Sequence, residues 1–192
     1  YALLAAHFWR TRRMRTAPSP AQAQAMAGWE RTALLLTLSL HALALHEALF
    51  GDGVMRFGFA AALSLMLWLT VLIYWLESLH ARVEGLQPLV LPLAAVCTLL
   101  PAFFPGQHEL SNIAAPMFRV HFLVAMVAYS LFTLAAIHAI IMAVAERQLH
   151  RGELGRPLPS LPPLLTMEAL LFRLILVAFL LLTLTLASGI AF

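Results

Sequence analysis

The sequence predicts an all-α, polytopic transmembrane helix bundle with about six spans visible, and three observations lead there. Of its 192 residues 62% are hydrophobic and only 11% are charged, against about 25% charged in a soluble domain. The apolar residues gather in runs of around twenty, the length a helix needs to cross a hydrocarbon layer of about 30 Å. The polar segments between runs hold most of the 12 basic residues, all arginine. Such a chain has lost most of its water-facing surface, so the bilayer is its solvent and helices must satisfy its backbone internally.

The elements follow in order. Tyr1 to Trp9 is apolar and too short to span, and reads as the tail of a first helix. Arg10, Arg12, Arg13 and Arg15 come next, then a Pro/Ala/Gln linker. A second span is expected over 29–50, closed by a turn at Gly51-Asp52-Gly53. A third covers 57–79. The fourth, 86–104, starts at Pro88 and carries Pro92 and Pro101 as expected kinks. The loop PGQHELSNIAAP leads into the fifth span, 117–146, and a Gly/Pro-rich connector leads to the sixth, 164–192. The chain is expected to form one integral membrane domain, with further spans after residue 192.

Charge and cysteine content narrow the function. The net charge of +3 is small and no basic run is interleaved with aromatics, so nucleic acid is not an expected partner. Cys97 stands alone, which excludes an internal disulfide, a CxxC redox pair and a CxxCH haem-attachment site. No independent catalytic constellation is visible, so the chain reads as a binding or transfer protein rather than an enzyme. Arginine placement orients it. If the first helix ends inside, Arg10, Arg12, Arg13, Arg15, Arg31, Arg82, Arg147, Arg151 and Arg156 are internal, while only Arg56 and Arg119 are external.

Histidines are the groups to explain, because an imidazole facing lipid is costly. His121 falls at the outer end of the fifth span, and His46 lies toward the outer end of the second. Counted from the inner helix ends, His138 stands roughly 12 Å deep and His41 roughly 16 Å deep. His41 and His138 are thus expected to share an inner layer, and His46 and His121 an outer one. Paired imidazoles from facing helices are one way to hold a haem iron in a bundle. The plainer reading is that a helix histidine bonds a neighbouring helix. His121 and Tyr129 are close to one face, with Ala125 and Ala128 between them leaving room for a flat ligand. His7, His80, His108 and His150 lie at helix ends or in loops and read as solvated. Trp68 and Trp75 read as packing or anchoring groups. Glu168 and Arg173, five apart, lie about 140° from each other and do not face one another. Glu47 and Glu77 are expected to reach water, and Arg119 either anchors headgroups or meets a propionate carboxylate.

Several segments carry a family resemblance. The last span reads Met167-Glu168, Phe172-Arg173, Ala178-Phe179 through Thr183, then Ser188-Gly189. It resembles the acidic-x-Leu-x-aromatic-Arg, Gly-Phe-x-Leu-Leu-Thr, Ser-Gly run of the cytochrome c assembly protein family (CcsA/ResC, CcmC and HemX-like members). His121 with Tyr129 is similar to that family's His-Val … Gly-Tyr segment, and Leu63 to Trp68 to its Glu-Ser-Leu … Trp segment. Ala128, Ala178 and Thr185 replace family glycines, and Ala61 an acidic residue, which makes the chain most similar to the HemX-like inner-membrane branch. The resemblance implies b-type haem held without a covalent bond, with His121 as an external axial ligand to its iron and Arg119 as a propionate partner. It also makes His41 the nearest candidate for an intramembrane ligand, with His46 and His138 as further candidates. It implies a bacterial inner-membrane location with His121 facing the periplasm, and partners among the cytochrome c maturation or haem-biosynthesis proteins; the family's WWD segment would begin after residue 192, and the HemX-like branch generally lacks a full one. Two rival roles fit the same residues: a regulatory accessory acting through the inner connector, and a cofactor-free membrane scaffold.

Overall fold

The computed structural model describes residues 1–13, 26–51, 56–80, 86–106, 108–109, 115–151 and 164–190. The expected linker after Arg13, the Asp52-Gly53 half of the turn, the centre of the 105–116 loop and the 152–163 connector lie outside them, as do Arg15, Arg82 and Arg156. The described chain is an all-α membrane bundle of six helices: α1 (Ala2–Arg13), α2 (Gly28–Phe50), α3 (Phe59–His80), α4 (Gln87–Phe103), α5 (Pro116–His150) and α6 (Leu164–Ile190). Four of them, α2, α3, α5 and α6, are long and apolar enough to cross a membrane. α4 is a shorter apolar helix of 17 residues, about 26 Å of rise. Pro92 and Pro101 lie inside α4, and each removes a donor from its hydrogen-bond ladder.

α3 is the centre of the bundle: α2, α4 and α5 all pack on it, α1 packs on α4, and α6 packs on α5. Each helix gives the core one stripe. In α2 the buried residues are Leu34, Leu38, His41, Leu45 and Leu49, which follow the three-and-four spacing of one helical face. In α6 they are Met167, Leu174, Ala178 and Thr185, a narrow seam flanked by the partly buried Leu170, Leu171 and Leu181, while Leu165, Phe172, Phe179, Leu180, Leu184 and Leu186 are exposed. Ala125, Ala128 and Ala135 of α5 are buried and let neighbouring backbones approach.

Polar bonds set the register between helices. The indole N–H groups of Trp68 and Trp75 donate to the carbonyls of Leu38 and Arg31, at 2.9 and 3.2 Å. The Arg31 guanidinium returns a bond to the Ser78 carbonyl at 3.3 Å. Those three bonds fix α2 antiparallel to α3. Between α3 and α5, which run parallel, the Ser130 hydroxyl reaches the Met66 carbonyl at 3.1 Å, and the Thr70 hydroxyl reaches that of Ser130 at 3.2 Å. Glu30 ties α1 to the start of α2. One carboxylate oxygen accepts the Ala27 N–H at 2.9 Å, and the other meets His7 Nε2 at 3.1 Å. His7, expected to be solvated, is a contact between helices.

At the opposite end two short strands, β1 (Arg56–Phe57) and β2 (His108–Glu109), pair antiparallel. Glycines permit this clip: a Cβ at Gly106 would come within 2.9 Å of the Phe57 carbonyl carbon. Phe57 stacks edge-on to Phe122 of α5 at 5.0 Å, joining the clip to the first turns of that helix.

Candidate functional site

The predicted site residues fall into different environments. His121 is half-buried near the start of α5, and its Nδ1 lies 2.8 Å from the Ser188 hydroxyl on α6. That hydroxyl also lies 2.9 Å from the Thr185 carbonyl. A carbonyl can only accept, so the single serine proton goes to Thr185 and the imidazole donates its Nδ1–H to Ser188. In this tautomer Nε2 bears the ring's lone pair. Gly189 lies beside the ring, where a Cβ would stand 3.5 Å from His121 Cε1. Arg119, two residues nearer the helix end, is exposed.

His41 is placed otherwise. It is buried at mid-bundle, with Nε2 at 2.9 Å from the Ser64 hydroxyl and Nδ1 at 3.1 Å from the Tyr1 hydroxyl. The Thr98 hydroxyl is 3.3 Å from each ring nitrogen and donates its own proton to the Ala94 carbonyl. Tyr1 also meets the ring edge-on at 5.4 Å. Four segments of the chain therefore converge on one imidazole. Sequence reading missed Tyr1 and Thr98, because hydroxyls are common in membrane helices and nothing in their spacing marks them.

His138 is buried between α5 and α6 and donates Nε2–H to the Met167 carbonyl at 3.0 Å. Its Nδ1 is buried and has no hydrogen-bond partner among the described residues. His46 is exposed and lies 5.3 Å from the Phe50 ring.

The expected layering of histidines needs correction. Through the His41–Ser64 and Ser130–Met66 contacts, His41 is level with about Ala128, ten residues and roughly 15 Å from His138. The two do not share a layer. Depths counted from helix ends failed because α5 runs past its neighbours. His46 and His121 do stand at similar levels, but α2 and α5 both pack on α3 rather than on each other. The space expected at Ala125 and Ala128 is filled by neighbouring helices, and Tyr129 faces outward. Glu77, expected in water, is partly enclosed with Oε2 buried, and Arg173 of α6 acts electrostatically on it. Among the described residues no group of three or more His, Cys, Asp or Glu is arranged to hold a metal ion by itself.

The family model described as "Cytochrome C assembly protein" matches residues 29–192. The chain belongs to that family. Inner membrane protein YpjD of Escherichia coli K12 is 27% identical over 182 residues, covering 88% of this chain. The proteins of the same name from strains O6:H1 and O157:H7 match equally well. The chain spans 66% of the length of these relatives. No solved structure matches it significantly. Cytochrome c assembly family membership thus agrees with the resemblance carried by the last span and by His121.

Proposed function

We propose that this member of the cytochrome c assembly family is a haem-handling inner-membrane protein serving cytochrome c biogenesis, with His121 as an axial ligand at the outer face. The observation that carries the reading is the His121–Ser188 contact. Ligating histidines typically donate their second ring N–H to an oxygen, which fixes the ring and presents the other nitrogen to the metal. His121 has that arrangement: Ser188 takes Nδ1–H, and Nε2 is the donor atom that iron would use. His121 is also half-buried at the end of a helix pair rather than sealed in the core. These residues fit one axial position of a haem. Bound haem would supply the iron and two propionates, and Arg119 is suited to pair with a propionate carboxylate.

Charge supports the orientation. Among the described arginines, Arg10, Arg31, Arg147 and Arg151 lie toward one end of the bundle, and Arg56 and Arg119 toward the other. Positive charge favours the cytoplasmic side, which puts His121 outside. His41 takes a structural part in this reading, since iron ligation would break its bonds to Ser64 and Tyr1. The test is the visible spectrum of full-length protein purified from haem-replete cells. A Soret band that is lost in His121→Ala, with the variant still folded, supports the proposal. A band of equal intensity in both proteins contradicts it, and no band in either favours the scaffold.

A further inference from the structure

α5 is longer than its surroundings. By the Ser130–Met66 register, the last residue of α3, His80, is level with about Val144. By the His138–Met167 register, the first residue of α6, Leu164, is level with about Ile141. Among the described residues the final six of α5 therefore extend roughly 9 Å beyond the described ends of α3 and α6. Glu146, Arg147, His150 and Arg151 stand at that level, a charged helix end of the kind that meets headgroups.

This projection carries an open cavity of about 440 Å³ lined by Ala143, Glu146, Arg147, His150 and Arg151. The Arg151 N–H bonds to the Arg147 carbonyl at 3.2 Å, so helical geometry continues and both guanidinium stems leave one face. Arginines near a helix C-terminus often bond the last carbonyls. Here His150 Nδ1–H takes the Glu146 carbonyl at 2.9 Å instead. Among the described residues neither guanidinium has a hydrogen-bond or ion-pair partner. Among the described lining residues Glu146 is the one carboxylate beside two arginines.

We infer that this overhang is a binding site for a phosphate group, clamped between Arg147 and Arg151, a site distinct from the proposed haem site. Guanidinium forks match phosphate oxygens in pairs, and two forks one helical turn apart can take two sides of one tetrahedral group. Glu146 and the Nε2 of His150 can accept protons from hydroxyls beside that phosphate. A lipid headgroup and a free phosphate offer the same chemistry, so the experiment separates them.

The full-length protein, placed in nanodiscs of phosphatidylcholine with or without phosphatidylglycerol, would be released and weighed by native mass spectrometry. Retained phosphatidylglycerol that falls roughly tenfold in Arg147→Gln/Arg151→Gln supports a headgroup site. Binding of ³³P-labelled inorganic phosphate that depends on the same arginines, with no lipid preference, supports a free-phosphate site. Equal lipid retention and equal phosphate binding in wild type and variant would overturn the inference. Circular dichroism confirms folding. If the double variant fails it, Arg151→Gln alone, at the last turn, carries the same comparison.

Discussion

His41 and His121 are the same side chain in two settings, and the contrast separates a structural imidazole from a binding one. His41 sits at mid-bundle with both nitrogens at hydroxyls, on Ser64 and Tyr1, from other segments. Every bond it makes ends inside the chain, and its effect is to hold helices together. His121 sits at the rim with Nδ1 given to Ser188, so the ring is aimed while Nε2 keeps its lone pair. In a bilayer an imidazole must be satisfied or used. The first spends both ring nitrogens between helices, and we read the second, oriented by Ser188, as a ligand.

The largest effect expected from breaking that contrast is at His41. His41→Leu leaves the Ser64 and Tyr1 hydroxyls without this partner, and should lower stability by about 1–3 kcal/mol in a detergent-unfolding titration. The same variant should keep any haem spectrum once folded; loss of the spectrum with unchanged stability would reverse the two roles. Next comes Ser188→Ala, which frees the His121 ring to turn. Haem affinity should fall about tenfold, and Ser188→Thr, which restores an acceptor oxygen, should recover part of it. A smaller effect is expected at the indole bonds between α2 and α3. Trp68→Phe removes the indole N–H bond to the Leu38 carbonyl and puts a smaller ring in its place; the lost bond should cost about 0.5–1.5 kcal/mol with no change in haem titration. The smallest is Gly189→Ala. Its new methyl would meet His121 Cε1 at 3.5 Å, an ordinary contact, so haem affinity should stay within about twofold.

The fold was largely legible, because twenty-residue apolar runs leave few options in a bilayer. What the runs could not convey was relative height. Counting from the end of α5 placed His138 too close to His41's level, since the last residues of that helix lie past the described ends of α3 and α6. α4, expected over 86–104, is a helix over Gln87–Phe103. At the site, His121 was singled out from the sequence, but its partner Ser188 was seen only as part of a family motif. The hydroxyls around His41 come from residues 1, 64 and 98, and only tertiary packing unites them. Trp68 and Trp75 were taken for packing groups, yet each also donates a hydrogen bond to an α2 carbonyl. Seven residues apart, they share one helical face, and that spacing was the available signal.

The most direct test replaces the rim imidazole and then returns it. In His121→Gly the account predicts that the Soret band disappears and reappears when millimolar imidazole is added, while His41→Gly shows no such rescue. A His121→Gly protein that keeps its full band without imidazole would contradict the central assignment.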